Sequence, residues 1–274
     1  MSFARVARSR LPAKMDLSVL FFGDVVGEPG RDFLAEQLPL LREKYKADLV
    51  VVNAENATHG HGLNTTHYKE LKKLGIDVFT MGDHIWNQQD LIPTLEAKNE
   101  PIMRPANYSQ APGKAFVDVV VLGKRVRVLN LVGRVFMRDS VDNAFRTFDE
   151  IIAKAPTPDL VIVDYHAEAT SEKRCFAEYV DGRAQLVVGT HTHVPTADAQ
   201  VLSGGTAFIS DLGMVGPQDS SLGADKFGPI NNFLTGMPWR YTVAPGAAEL
   251  GAVHCIINVQ DRKATSIQHI RILQ

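Results

Sequence analysis

The chain has 274 residues, with 29 basic against 31 acidic side chains and a formal charge of −2. Hydrophobic residues make up 45% and charged residues 22%, globular proportions that exclude wholesale disorder, and the near-neutral balance gives no support to broad RNA or DNA binding. No apolar run approaches the ~20 residues of a membrane helix, and two cysteines, Cys175 and Cys255, are too few for a disulfide scaffold, so a reducing cytoplasm fits best.

Residues 1–14 carry Arg5, Arg8, Arg10 and Lys14 and no acid. They read as a disordered basic extension, and Met15 is a second candidate start. A secretory signal needs a longer apolar segment than Leu17–Phe22, which reads as a buried strand closed by Gly23-Asp24. Residues 30–45 follow with helical spacing at Phe33, Leu34, Leu38, Leu41 and Tyr45, and Pro39 should kink or break them. Leu49–Val52 is the next strand. Asn64 can cap a helix running to about Leu74, with Gly75 at its end. Val78–Met81 is a third strand, followed by a helix around 88–97. Val117–Leu122 and Arg125–Leu131 flank Gly123-Lys124 as a hairpin. Residues 142–154 read as helix, and Leu160–Asp164, Leu186–Val188 and Thr206–Ser210 as strands. In the tail, Tyr241–Val243, Ala252–Val259 and Ser266–Ile272 read as strands alone, with Asp261-Arg262 in the last turn.

This order predicts a layered α/β fold. The early βαβα alternation calls for parallel pairing, and the hairpin and tail call for antiparallel pairing. Mixed sheets packed face to face satisfy both. No repeat, low-complexity tract or dividing linker interrupts residues 15–274, which read as a single domain.

Five apolar runs end in residues able to bind metal. They are Phe22-Gly23-Asp24, Val52-Asn53-Ala54-Glu55-Asn56, Met81-Gly82-Asp83-His84, Val163-Asp164-Tyr165-His166 and Val188-Gly189-Thr190-His191-Thr192-His193. Ligands of open α/β sheets bind beyond the carboxyl ends of the strands, so the five tails can converge. Mixed imidazole and carboxylate donors suit Fe, Mn or Zn better than Ca or Mg alone. The candidates are too many for one ion, and two ions bridged by a carboxylate fit better. Such a pair can hold a hydroxide and clamp the oxygens of a phosphoester undergoing in-line displacement.

Gly-Asp-Val-Val-Gly-x-Pro-Gly-Arg at 23–31, Asn-Ala-Glu-Asn at 53–56, Met-Gly-Asp-His-x-Trp at 81–86 and Arg-Pro-Ala-Asn at 104–107 carry a family resemblance. So do Asp-Tyr-His-Ala-Glu-Ala-Thr-Ser-Glu-Lys at 164–173, Gly-Thr-His-Thr-His-Val at 189–194 and the Asp-Leu-Gly-Met that opens at Asp211. Together they resemble the YmdB-type branch of the metallophosphoesterase superfamily over residues 16–274. The resemblance implies a calcineurin-like sandwich of two mixed β-sheets flanked by helices. It also implies a dinuclear centre, most simply of Fe and/or Mn, and phosphodiesterase activity on 2′,3′-cyclic nucleotides. By the same resemblance, Asp24, Glu55, Asn56 and His193 hold one metal. Glu55 bridges to the second, held also by Asp83, His166 and His191. His84 serves as proton donor to the leaving oxygen or as transition-state stabiliser. Self-association is implied as well.

Two departures stand out. The family has Asn where this chain has Asp83, and the added charge should tighten metal binding while weakening the metals' pull on water and phosphate. The loop 57–63 carries His59 and His61, outside the family's usual pattern. His61 is a candidate substrate contact, as are Arg104 and Arg134, whose guanidinium groups match a phosphate.

Each residue also has a plainer reading alone. Asp24 reads as a helix cap, Glu55 and Asn56 as solvated loop, and His84 and His166 as structural histidines. His191 and His193, if in a strand, would share one face as a surface pair. Arg104 and Arg134 read equally as buried ion pairs, Asp211 as a turn residue or an orienter of a ligand histidine, and Gly27, Pro29 and Gly30 as a tight turn with Pro starting the helix. His67 reads as surface, and His254, His269 and Cys175 as structural. The competing functions are a phosphomonoesterase or phosphoprotein phosphatase on the same centre, and a low-turnover regulatory protein that binds nucleotide or RNA.

Overall fold

The computed structural model describes residues 15–274, and the extension expected over 1–14 lies outside the described residues. The first strand, β1 (Asp16–Phe22), alternates two apolar faces: Leu17, Val19 and Phe21 on one, Leu20 and Phe22 on the other, all fully buried. A strand buried on both faces belongs inside a layered sheet. After the short β2 (Asp24–Val25) comes α1 (Gly27–Tyr45), then β3 (Leu49–Asn53), α2 (Thr65–Lys72) and β4 (Val78–Thr80). Two short 3-10 helices, Asp83–Asn87 and Gln89–Leu91, lead into α3 (Ile92–Glu96). The hairpin β5 (Phe116–Val121) and β6 (Lys124–Val132) precedes α4 (Ala144–Ile152), β7 (Leu160–His166), α5 (Thr170–Val180) and β8 (Leu186–Thr190). The chain ends with β9 (Gln200–Val201), β10 (Ala207–Ile209), β11 (Met214–Pro217), α6 (Phe227–Thr235), β12 (Ala248–Asn258) and β13 (Lys263–Leu273).

The strands form two mixed sheets, as expected. In the seven-stranded sheet β1, β3 and β4 run parallel, and β12 joins β1, β11 and β13 antiparallel. The six-stranded sheet has the order β5-β6-β7-β8-β10-β9, with parallel pairing from β6 to β10 and antiparallel strands at both edges. Val19, Phe21 and Val51 meet Val128, Ile162 and Val188 between the sheets. Leu20, Phe22, Val50 and Val52 pack beneath Leu34, Leu38 and Leu41 of α1. Leu129, Leu131, Val163 and Tyr165 pack beneath Phe148 of α4 and Phe176 of α5. The result is four layers, helix–sheet–sheet–helix. Each fully buried Val, Leu or Phe contributes about 1.5–3 kcal/mol.

Several expectations are corrected. Pro39 does not divide α1. The apolar stripe Phe33, Leu34, Leu38 and Leu41 is buried along the whole helix, and that packing outweighs the ~3 kcal/mol a mid-helix proline costs. The helix expected around 88–97 is only α3 preceded by the 3-10 turns. Tyr241–Val243 forms no strand; Val243 makes one isolated bridge to Ala224. Helix α5, strand β11 and helix α6 are additional to the elements read from the sequence. That last helix buries only Pro229 and leaves Phe227, Phe233 and Leu234 largely exposed. Asn64 does cap α2, its side chain accepting from His67 N at 2.8 Å.

Candidate metal centre

The carboxyl ends of parallel strands from both sheets meet at one place. Asp24 opens β2 just past the end of β1, β3 delivers Glu55 and Asn56, β4 delivers Asp83 and His84, β7 ends on His166, and β8 leads to His191 and His193. Donor atoms of Glu55, Asp83, His166 and His191 all lie within 4.8 Å of one another. His166 Nε2 is 2.9 Å from Asp83 Oδ1, 3.3 Å from Glu55 Oε1 and 3.1 Å from His191 Nδ1. His191 Nδ1 is 3.4 Å from Asp83 Oδ1. Beside this group, Asn56 Nδ2 lies 3.0 Å from Glu55 Oε1 and 3.1 Å from His193 Nε2.

The donor chemistry fits cations. Thr190 donates its one hydroxyl proton to Asp164 Oδ1 at 2.6 Å, so at His166 Nδ1, 2.9 Å away, it acts as acceptor. That fixes the Nδ1–H tautomer and aims the Nε2 lone pair at the carboxylates when the ring is neutral. In the ion-free chain burial alone would lower the His166 pKa, but the Glu55 charge and the hydrogen bonds of Asp83 and Glu55 hold it well above the usual value. Glu55 and Asp83 titrate low: burial opposes their charge, and the facing histidines outweigh it. Burial raises Asp24. Asp24 Oδ1 and Asn56 Oδ1 are buried without a hydrogen-bond partner. Each such atom costs about 1–3 kcal/mol unless something binds it.

A set of supporting residues positions the donors. Asp164, fully buried, accepts from Thr190, from Thr80 Oγ1 at 2.6 Å and from Asn53 Nδ2 at 3.0 Å, and burial pushes its carboxyl up to about 7. His191 and His193 lie in the loop after β8, not in a strand, at φ of 101° and 65°. Asp24 Oδ2 accepts from His191 N at 3.1 Å, and Asp211 Oδ2 accepts from Thr192 N at 3.1 Å and Thr192 Oγ1 at 2.8 Å. Asp211 therefore holds the residue between the two histidines rather than either imidazole. Asp211 also accepts from Gly213 N at 2.9 Å and pairs with Lys173, 2.8 Å away and equally buried. Sequence reading missed Lys173, Thr190 and Asn53. Strand alternation was the available signal for Asp164, which shares a face of β7 with His166.

His84 sits at the edge of a cleft of about 430 Å³ lined also by Glu55, Glu168, His191 and His193. Its Nδ1 lies 3.3 Å from Glu55 Oε1 and its backbone N–H donates to Glu55 Oε2 at 3.1 Å. Burial would lower its pKa, but the hydrogen bond and charge of Glu55 raise it. His61 stacks edge-on against His84 at 4.7 Å and against Tyr241 at 4.3 Å.

The two arginines lie elsewhere. Arg104 is buried and donates to the carbonyls of Ala111, Pro105 and Ala106 at 2.9–3.0 Å. Arg134 is exposed just beyond β6, and both line a cavity beside α4. His67, expected at the surface, bonds Thr58 Oγ1 at 2.9 Å. Cys175, expected as a structural thiol, is exposed, because α5 turns Lys173, Phe176 and Ala177 inward instead.

Comparison with known proteins accords with this geometry. A family model described as "YmdB-like protein" matches residues 20–270. The chain is 45% identical to a 2′,3′-cyclic-nucleotide 2′-phosphodiesterase of Bacillus subtilis, covering 93% of this chain and 97% of the relative. It is 38% identical to a putative phosphatase/phosphodiesterase of Mycoplasma pneumoniae, covering 94% of each. Among solved structures, a novel phosphatase from Mycoplasma pneumoniae superposes with a TM-score of 0.89 at 38% identity over 94% of both chains. A hypothetical protein from Thermus thermophilus superposes with 0.88 at 39% identity, over 94% of this chain and all of the other. The two-sheet sandwich is thus the calcineurin-like fold that the motifs implied, and the chain belongs to the YmdB-like family of metallophosphoesterase hydrolases.

Proposed function

We propose that the protein is a metal-dependent phosphodiesterase that hydrolyses 2′,3′-cyclic nucleotides. The observation that carries this reading is the cluster of Glu55, Asp83, His166 and His191 donor atoms, with Asn56 and His84 against the same Glu55 carboxylate. Glu55, Asp83, His166 and His191 would hold one ion, and Asp24, Glu55, Asn56 and His193 a second. The imidazole-rich mixture suits Fe and/or Mn. Bound there, two cations supply neutralisation of phosphoryl charge and an activated water.

The chain's own residues supply orientation and a proton. Asp24 and Asp211 hold the His191–His193 loop in its left-handed backbone, a conformation that costs of order 1–3 kcal/mol per residue. His84 Nδ1 is buried against Glu55, which leaves Nε2 to carry a proton to the departing ribose oxygen. The substrate class follows the name of the Bacillus subtilis relative. Among the described residues no helix is long and apolar enough to cross a membrane, and both cysteines are free. We place the protein in the cytoplasm on the cysteine usage.

The test is hydrolysis of 2′,3′-cyclic AMP by protein of known metal content, with Mn²⁺ added or chelated, beside a phosphomonoester. Turnover of the cyclic diester should depend on metal, and His84→Ala should lose about 10²–10⁴-fold in kcat while keeping its metals. No turnover at two metals per chain would overturn the reading. Preference for the monoester would move the protein to the phosphatases.

A further inference from the structure

A cavity of about 550 Å³ lies between α4 and the segment 104–115, outside the donor cluster. It gathers Arg104, Arg134, Arg146 and Lys154, with Asp142 and Glu150 as its carboxylates. Arg104 is buried and donates to the backbone carbonyls of Ala111, Pro105, Ala106 and Ser109 with no carboxylate beside it, and burial lowers its pKa. A buried cation without an anionic partner is costly, and a bound anion would offset the cost. Among the described residues, the side chains of Arg134, Arg146 and Lys154 have no carboxylate partner either. Arg146 and Lys154 lie along one side of α4 and its exit, a span of about 12 Å. That is a track, longer than one phosphate.

Two contacts tie the surroundings of this cavity to residues that neighbour the candidate centre in the chain. A second hollow, of about 450 Å³, shares Ser109 and Asp142 with the first and includes Tyr108. The Tyr108 ring meets Trp86 at 5.7 Å, and Trp86 follows His84 by two positions. On the other side, Gly133 N donates to His166 O at 2.9 Å, which sets Arg134 beside the end of β7.

We propose that this groove binds phosphates flanking the scissile one, so that the preferred substrate is an RNA 3′ end bearing a 2′,3′-cyclic phosphate rather than the free mononucleotide. The inference rests on the phosphodiesterase reading. A 2′,3′-cyclic phosphate forms when an RNA 2′-hydroxyl attacks the adjacent phosphodiester. The O2′–P bond forms, the P–O5′ bond breaks, and the 2′ proton ends on the departing 5′ oxygen. The cyclic group is thus left at a strand terminus, and each upstream nucleotide adds one phosphate. The lining of the α4 cavity has no aromatic ring, so it would read phosphates and tolerate any sequence. A local patch of this kind is compatible with a net charge of −2.

The test compares kcat/KM for 2′,3′-cyclic AMP and for a short synthetic RNA ending in a 2′,3′-cyclic phosphate, in wild type and in the Arg146→Ala/Lys154→Ala double variant. The RNA should be preferred by about tenfold or more at 50 mM salt, through KM. With phosphate contacts at Arg134, Arg146 and Lys154, that kcat/KM should fall about 20-fold by 200 mM salt in wild type, and about threefold in the double variant, which keeps Arg134 alone. The double variant should also lose most of the RNA's advantage. Turnover of the mononucleotide with no preference for RNA, or a preference that survives the double substitution, would overturn the groove and leave the phosphodiesterase standing. Failure to turn over either substrate at two metals per chain would overturn both.

Discussion

Lys173→Met should destabilise the protein and loosen the metal centre together. Lys173 and Asp211 form an ion pair at 2.8 Å with both side chains almost wholly buried. Removing the ammonium leaves the Asp211 carboxylate without a countercharge in the interior, a change that costs about 3–5 kcal/mol. Asp211 keeps hydrogen bonds from Thr192 N, Thr192 Oγ1 and Gly213 N, which places the expected loss at the lower end, about 3 kcal/mol. For a chain of this size that is a fall in Tm of roughly 6–12 °C. Because Asp211 holds Thr192 between two candidate ligands, metal affinity should also fall by about 10–100-fold. Thermal unfolding and metal titration read the two effects. The double variant Lys173→Met/Asp211→Asn leaves no unpaired charge and should regain part of the Tm but not the metal affinity. A Lys173→Met protein within about 2 °C of wild type would refute the reasoning.

Three further outcomes follow from the geometry. A Cβ on Gly82 would stand 2.1 Å from Glu55 Oε2 and 2.4 Å from His166 Nε2, so Gly82→Ala must displace both side chains. Metal content per chain should fall and activity should drop about 10²-fold, with the fold intact by circular dichroism. Asp83→Asn removes a charge from the donor group, and should lower metal occupancy at fixed free ion while raising turnover per loaded centre; values indistinguishable from wild type would count against a role for that charge. For Asp198, burial alone would raise the pKa, but hydrogen bonds from Ser210 Oγ and Thr196 Oγ1, both at 2.6 Å, outweigh it and hold the carboxyl below its ordinary value. A depressed folded-state pKa gives stability that is present at neutral pH and is lost as pH falls below about 4. Asp198→Asn should therefore flatten that acid limb in a series of denaturant titrations.

Much of the fold was legible because the central strands of both sheets are buried on both faces. Continuous apolar runs such as Leu17–Phe22 and Leu160–Asp164 announce interior strands whatever their neighbours. The elements that escaped lack that signal. Helix α6 has Gly228 and Pro229 in its first turn and Asn231-Asn232 in its middle, all weak local helix signals, and its apolar Phe227, Ile230, Phe233 and Leu234 face outward instead of into a core. Strand β11 is four residues of Met-Val-Gly-Pro, and its glycine and proline argue locally against a strand. The extent of α1 went the other way. Local propensity at Pro39 argued for a break, and tertiary burial of Leu38 and Leu41 decided otherwise.

The candidate site divides along a similar line. Its donor residues stand directly after strands, so their convergence follows from topology: parallel strands end at one edge of each sheet, and two packed sheets bring those edges together. The residues that fix the donors belong to no such pattern. Thr190 and Asp164 lie within strands, and their hydrogen bond is a diagonal one across β7 and β8, where Thr190 is registered against His166. Lys173 on α5 and Asp211 beyond β10 are 38 residues apart, joined only because the stem of Lys173 passes over Gly189. A Cβ at 189 would come within 3.0 Å of Lys173 Cδ and 1.7 Å of Ser210 O, so the glycine in Gly-Thr-His-Thr-His is a packing requirement of the ion pair as well as of the strand. Substituting it should therefore disturb His191 and His193 through Asp211, although Gly189 is no candidate ligand. The motif is legible in one dimension because it encodes this three-dimensional contact.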